Sequence, residues 1–331
     1  AMKTPGFWYR PPGAAATLLA PLGAVYGLAT RQRLARGNRQ RVGVPVICIG
    51  NLTAGGTGKT PTVIALAQRI TERGMRVHAV TRGHGGRLEG PVAVDPSAHG
   101  AADTGDEALL LAAFLPTWVS RDRAAGARAA AAAGAQVILL DDGFQNPGLF
   151  HDLSLLVADA HRGFGNGRLI PAGPLREPVA QGMARADAIL TIGGPAAQDR
   201  FTRTWGDAVA VPRLTGHLAP LPTGLPLAGL PVLAFAGIGH PEKFFATLRD
   251  LGADLRATHA LADHQPLSDA VMARMAREAG RLGAQIVTTE KDAVRLPPAW
   301  RSKVMTVPVR LDVATWAPLD AHLDRVLGAP G

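Results

Sequence analysis

The chain reads as an α/β protein with a mostly parallel sheet, a smaller α/β unit behind it and a helix in front. Three observations predict this. Short apolar runs of strand length alternate with helical patterns through the first two thirds of the chain. A glycine-rich turn follows the first of those strands directly. After a Pro/Gly-rich stretch at 211–231 the alternation starts again. The 331 residues suffice for about two domains with sizeable cores. At 47% hydrophobic but only 5% aromatic, the composition predicts Ala/Leu/Val cores and excludes disorder. The one cysteine, Cys48, lies inside a predicted buried strand, which excludes a disulfide framework and fits a reducing compartment.

The first 41 residues form a distinct segment. No acidic residue precedes Glu72, whereas Lys3, Arg10, Arg31, Arg33, Arg36, Arg39, Arg41, Lys59 and Arg69 do, and these nine cations equal the whole net charge of +9. Such a localised basic end implies an anionic surface as partner. No nucleic-acid-binding motif accompanies it, so lipid headgroups are the expected surface and no nucleic acid is expected. The apolar run 13–29 is too short and too interrupted for a spanning helix. Pro21 suits a helix start and Gly37 a stop, with Leu22, Val25, Tyr26 and Ala29 on one face. With Phe7-Trp8-Tyr9 ahead and arginines behind, the pattern fits an interfacial anchor, and equally a helix packed on the core.

The expected strands of the main unit are 44–49, 77–81, 117–120, 136–140, 153–158 and 188–192, with helices at 61–73, 106–114 and 121–134. Beyond 231, strands at 232–237, 284–289 and 303–308 and helices at 241–251 and 268–282 make up the second unit. The implied division is 1–41, 42–212 and 213–331. Ligands of such sheets bind at the carboxyl ends of the strands.

The sharpest motif stands at the first of those ends. Thr53-Ala54-Gly55-Gly56-Thr57-Gly58-Lys59-Thr60 follows the apolar run 46–50. Glycines let successive backbone N–H groups converge on phosphate oxygens, and a helix start adds positive field. Lys59 is placed for the β/γ-phosphates and the Thr60 hydroxyl for Mg²⁺. Thr53 stands where the general pattern has its first glycine. The chain is expected to bind ATP or a similar nucleoside triphosphate. About 80 residues on, a strand ends in Asp141-Asp142-Gly143-Phe144-Gln145, which supplies hard oxygen ligands for the metal.

Other segments are more open. Thr104-Gly105-Asp106-Glu107 reads as a capping box, or as a general base beside a metal ligand. Arg82, in Arg82-Gly83-His84-Gly85, suits phosphate or sugar contacts or a solvated loop. The Pro171–Pro178 stretch reads as a shaped substrate loop carrying Arg176. His264 is a lone histidine, and Thr289-Glu290-Lys291-Asp292 ends a strand of the second unit, where it is placed to clamp a nucleotide across the cleft.

In order and spacing these segments resemble the tetraacyldisaccharide 4'-kinase family, the lipid A 4'-kinases of Gram-negative bacteria. The resemblance runs from Gly50–Pro61 through Arg82-Gly83, Gly105-Asp106-Glu107, Asp141–Gln145, Gly165-Asn166-Gly167-Arg168, Pro171–Pro178 and Asp263-His264 to Thr289–Ala293. It implies a P-loop kinase domain, a smaller domain closing over the nucleotide, and a peripheral enzyme on the cytoplasmic face of the inner membrane. The implied reaction moves the γ-phosphate of ATP to the 4'-hydroxyl of an acylated glucosamine disaccharide 1-phosphate. Asp106 then orients or deprotonates the hydroxyl with support from His264. Glu107 and Asp142, with Asp141, join Thr60 around Mg²⁺, and Arg82, Gln145, Arg176 and Glu177 contact the lipid substrate. His84, Asn146 and Gln265 depart from the family's usual residues. A competing class, a membrane-associated P-loop ATPase that switches conformation, has no need of Asp106 or of the 171–178 loop.

Overall fold

The computed structural model of the chain describes residues 5–221, 224, 227–262 and 265–328. Its strands, in chain order, are β1 (Val46–Gly50), β2 (Val77–Thr81), β3 (Val92–Ala93), β4 (Thr117–Val119), β5 (Val137–Asp141), β6 (Leu153–Asp159), β7 (Ala188–Ile192) and β8 (Arg213–Pro220). The later ones are β9 (Pro231–Ala236), β10 (Asp254–Ala260), β11 (Gln285–Thr289), β12 (Met305–Val307) and β13 (Val309–Val313). Among the described residues they form a nine-stranded sheet, β13-β8-β7-β6-β1-β5-β2-β4-β3, and a four-stranded one, β10-β9-β11-β12. The small sheet is parallel throughout, and the large one is parallel except at its edges, where β13 and β3 run antiparallel to their neighbours. β1 sits centrally, flanked in parallel by β5 and β6. Strands buried on both faces need continuous apolar runs, and Val46–Ile49 and Val137–Leu140 supply them with near-zero exposure.

Helices cover both faces. The long N-terminal α1 spans Ala14–Arg36 and α2 spans Lys59–Thr71. Short α3 (Ala101–Thr104) and α4 (Asp106–Ala112) precede β4, and α5 (Arg123–Ala132) follows it. Then come α6 (Val179–Met183), α7 (Pro195–Trp205), α8 (Pro241–Asp250), α9 (Asp269–Leu282), α10 (Glu290–Ala293) and α11 (Ala317–Leu327). The small sheet buries Phe244, Phe245 and Leu248 of α8 on one face and Met272, Met275 and Ala279 of α9 on the other.

Two expectations need correction. Pro21 lies inside α1, not at its start: the helix begins after Gly13, and the apolar run 14–20 adds nearly two turns ahead of the proline. Proline there removes one i→i−4 hydrogen bond, and α1 nevertheless continues through it to Arg36. The stretch from 211 is also not all connector. β8 pairs with β7 and β13 with β8, so the large sheet reaches past 212 and the chain returns to it after β12.

That return is fixed by charge. Asp320 of α11 accepts from Arg69 of α2 and from Arg73 just past the end of that helix, the latter at 3.0 Å, and Arg73 also meets Asp324 at 2.6 Å. Leu319 and Leu323 on the same helix are fully buried in the core beside α2. Asp320→Ala strips two guanidinium groups of an acceptor and is expected to cost about 2 kcal/mol. Asp324→Ala, whose side chain is 43% exposed, is expected to cost about half of that or less. Thermal unfolding of both variants checks the order, and an unchanged Tm for Asp320→Ala would show that α11 is held by its leucines alone.

Candidate active site

At the carboxyl end of β1 the chain turns through the glycine-rich loop into α2. Gly55 (φ 108°) and Gly58 (φ 92°) take left-handed backbone that a side chain resists, and Gly58 caps α2 with Lys59 as its first residue. The loop is braced from within by Asn51, whose Nδ2 donates to Thr53 O at 2.8 Å. It is braced from outside by the proline-rich loop: Ala54 N donates to Pro174 O at 2.8 Å and Arg176 N to Leu52 O at 2.7 Å. Thr57 Oγ1 and Asn51 Oδ1 are buried without a hydrogen-bond partner among the described residues. Gly55 and Gly56 are exposed, Ala54 lies half-buried, and Thr53 and Thr60 are buried.

The neighbouring strand β5 ends at Asp141, with Asp142 just beyond it. Asp142 takes φ 54°, the left-handed region. Its Oδ1 accepts from Arg176 at 2.9 Å and lies 3.8 Å from Lys59 Nζ. Burial pushes the Asp142 carboxyl up, but Lys59 and Arg176 outweigh it and hold the group below its ordinary range. Asp141 has no such partner. Its Oδ1 is buried with no hydrogen bond among the described residues, and burial, followed by the charge of Glu107, pushes its carboxyl up to about 7. Adjacent carboxylates thus differ sharply, because only one of them pairs directly with cations.

Asp106 and Glu107 open α4, with Glu107 near enough to Asp141 to act on it by charge. The capping box expected from Thr104 and Glu107 does not form. Gly105, at φ 83°, caps α4 and breaks it from α3, and Thr104 Oγ1 reaches only Gly100 O and Gly105 O, at 3.5 Å. Asp106 Oδ1 instead accepts from Glu107 N at 3.0 Å. Glu107 Oε1 meets Lys291 Nζ at 3.1 Å, and Asp106 Oδ2 lies 3.8 Å from Arg295 Nε, so both carboxylates are held from the small sheet's side.

Of the other expected contacts, Gln145 donates to Asn51 O and to Glu177 Oε1, both at 2.9 Å. Glu177 is 2% exposed and pairs with Arg185. These two therefore tie the Asp141–Gln145 turn, the phosphate loop and the proline-rich loop together. Arg82 is exposed, in a loop packed against residues 103–105 beside Asp106. His84 is exposed, Asn146 accepts from Gly148 N, and the Gln265 side chain accepts from Ala262 N. His264 lies outside the described residues.

Sequence reasoning missed two arginines. Arg123, 6% exposed at the start of α5, donates to Ser120 O at 3.0 Å, and its Nε has no hydrogen bond among the described residues. Burial and then the Arg82 charge pull its basicity down, while Asp142 and Asp141 oppose them, which places it among the site's charges. Its position just after a parallel strand was the available signal, hidden by the alanine-rich helix that follows. Arg295 lies beyond the Thr289–Ala293 motif, and only the fold brings it to Asp106.

A divalent cation suits this donor set. Among the described residues no cage of three or more His, Cys, Asp or Glu side chains exists. Mg²⁺ needs none, since it takes one or two carboxylates and completes its shell with phosphate oxygens and water. Asp141, whose buried Oδ1 has no hydrogen-bond partner among the described residues, and Thr60, at the start of α2, are residues that would hold such an ion.

The sequence profile described as LpxK, tetraacyldisaccharide-1-P 4'-kinase, matches residues 15–328. The tetraacyldisaccharide 4'-kinase of Jannaschia sp. (strain CCS1) is 68% identical over 327 residues, covering 99% of this chain and all of that protein. The enzyme of the same name from Dinoroseobacter shibae is 63% identical over 329 residues, covering 98% of each. A crystal structure of LpxK from Aquifex aeolicus in complex with ATP superposes with a TM-score of 0.75 at 25% identity, covering 94% of this chain and 99% of that one. The chain belongs to the tetraacyldisaccharide 4'-kinase family.

Proposed function

We propose that this chain transfers the γ-phosphoryl group of ATP to the 4'-hydroxyl of a tetraacylated glucosamine disaccharide 1-phosphate, a step of lipid A biosynthesis. The observation that carries the reading is that family membership coincides with a phosphate loop facing two carboxylate pairs, Asp106-Glu107 and Asp141-Asp142. In this reading, backbone N–H groups of Ala54–Thr60 bind the phosphates and Lys59 neutralises charge growing on the transferring group. Thr60, Glu107, Asp141 and Asp142 would hold Mg²⁺, which would supply positive charge against that of the phosphates. Asp106 accepts the proton of the 4'-hydroxyl as that oxygen bonds to phosphorus and the bond to ADP breaks. His264 supports Asp106. Arg82 and Arg176 contact the lipid substrate, while Gln145 and Glu177 hold the loop that presents Arg176. The unit carrying the small sheet closes over the nucleotide, with its Lys291 and Arg295 already against the carboxylates of α4.

A membrane surface completes the proposal. Leu18, Leu22, Val25 and Leu28 recur at helical spacing on α1 and are 81, 58, 67 and 57% exposed. Arg31, Arg33 and Arg36 follow in its last turns. No helix among the described residues is long and apolar enough to cross a membrane. An interfacial helix on the cytoplasmic face of the inner membrane uses both features, with the leucines in the acyl boundary and the arginines on anionic headgroups.

Labelled ATP with detergent-dispersed disaccharide lipid tests the reaction: labelled lipid forms, and Lys59→Ala reduces its formation by at least ~100-fold with the fold intact, an electrostatic loss of about 3 kcal/mol or more. Near-normal turnover by Lys59→Ala would sink the assignment of the phosphate loop.

Asp106→Asn is expected to keep Tm and ATP affinity and to lower kcat by roughly 10²-fold or more. His264→Ala acts in the same direction, and the double variant loses less than the product of the two. Thr104→Ala, in contrast, keeps kcat within a fewfold, since its hydroxyl caps nothing in α4. A Thr104→Ala enzyme more impaired than Asp106→Asn would reverse the assignment.

Removal of residues 1–35 is expected to weaken co-sedimentation with anionic vesicles, each lost cation removing about 1 kcal/mol near such a surface. Undiminished co-sedimentation would make α1 a packing element and not an anchor.

A further inference from the structure

The guanidinium of Arg295 stands at the seam between the two sheets. Its side chain is 6% exposed, and its partners are almost entirely hidden: Asp292 is 0% and Asp106 3% exposed. Nη1 donates to Gln265 O at 2.8 Å, and Nη2 to Gly237 O at 3.2 Å and to Asp292. Asp292 is itself fully engaged within the same unit, taking Gly237 N at 3.1 Å on both oxygens and Thr289 Oγ1 at 2.7 Å. The ion pair of Asp292 with Arg295 is therefore built and neutral without help from the large sheet.

What remains is Nε. It is buried, has no hydrogen-bond partner among the described residues, and lies 3.8 Å from Asp106 Oδ2. That is close enough for charge attraction and too long for a hydrogen bond. A planar guanidinium with both Nη groups fixed has no freedom to turn Nε elsewhere. Asp106 is held on its other oxygen by Glu107 N at 3.0 Å. Its carboxylate is thus gripped from its own helix on one side and from the second unit on the other.

We propose that Arg295 is a positioning residue for phosphoryl transfer, with its Nε fixing the orientation of the Asp106 carboxylate when the two units dock. This rests on the reading of Asp106 as the group that takes the hydroxyl proton. The reacting base is then in place only when the unit carrying Arg295 is seated. A geometric error of about 1 Å in such a group lowers rates by up to ~10²-fold, which sets the scale of the effect.

The test is a cycle of Arg295→Gln, Arg295→Lys, Asp106→Asn and the Arg295→Gln/Asp106→Asn double variant, each measured for kcat, KM for ATP and for lipid, and Tm. Arg295→Gln is expected to lower kcat by about 10-fold or more with both KM values within about threefold. Added to Asp106→Asn, the same change is expected to alter kcat less than about twofold. Arg295→Lys keeps a cation for Asp292, retains Tm, and still lowers kcat about fivefold or more, because an ammonium held there has no Nε to offer. Should Arg295→Gln fail to fold, Arg295→Lys decides alone. Equal fold-losses from Arg295→Gln with and without the Asp106→Asn change would reduce Arg295 to a structural partner of Asp292. Unchanged kcat in Arg295→Lys, with Asp106→Asn impaired, would overturn the proposal and leave the reading of Asp106 standing. Unchanged kcat in Asp106→Asn itself would overturn that reading, and this inference with it.

Discussion

Four carboxylates gathered at the carboxyl ends of a parallel sheet are the constraint on which the rest of this structure turns. Asp106, Glu107, Asp141 and Asp142 come from two elements, and Asp106 and Asp141 are almost fully buried. Like charges in a poorly solvated cleft raise one another's pKa unless cations are set among them. The fold brings those cations from every side: Lys59 from the phosphate loop, Arg176 from the proline-rich loop, Lys291 and Arg295 from the small sheet's unit. Asp141 is the member without a direct pair, and its carboxyl rises to about 7 accordingly.

The same constraint explains why the loops are so heavily punctuated. To bring Lys59 within 3.8 Å of Asp142, the backbone between β1 and α2 must reverse through left-handed positions at Gly55 and Gly58. Gly50 lies so close to Phe144 that a Cβ there would collide with it, which sets the phosphate loop against the Asp141–Gln145 turn. The glycines are spent on proximity, and the stiffness they forfeit returns through hydrogen bonds from Asn51, Gln145 and the 174–176 backbone. Rigid prolines in the bracing loop serve the same end.

What the sequence disclosed follows from how far each signal reaches along the chain. The phosphate loop and the Asp141–Gln145 turn are local patterns read against an adjoining strand, and most strands of the large sheet were legible as apolar runs. β8 and β13 were not, because Arg213–Pro220 carries glycine, proline and polar residues and has a parallel neighbour on one side only, with β13 outside it on the edge. The cap at Thr104 had the right spacing and failed because Gly105 breaks the helix before it. Asp106 was assigned through resemblance rather than chemistry. Arg295 lay beyond any local signal, since its partner is 189 residues away in sequence and meets it only through the packing of α10 on α4.

The N-terminal segment is tied to the loop that braces the site. α1 has two unlike faces: its leucines point outward, while Ala16, Gly23 and Thr30 are buried. On the buried side Gly23 and Gly27 let the helix lie directly on Leu169, where an added Cβ at Gly27 would come within 2.6 Å of Leu169 Cδ1. Trp8 reaches the same loop, donating from Nε1 to Pro171 O at 3.0 Å. That loop continues into Pro174 and Arg176, which brace the phosphate loop and hold Asp142. With α1 lying in the interface, as proposed, the depth of the helix fixes the height of the substrate loop above the membrane. The position of Arg176 then follows from it. A substrate whose acyl chains stay in the bilayer offers its hydroxyl at a set height, and a kinase for it needs a site whose height is set too. Packing glycines against Leu169 gives that without a flexible joint.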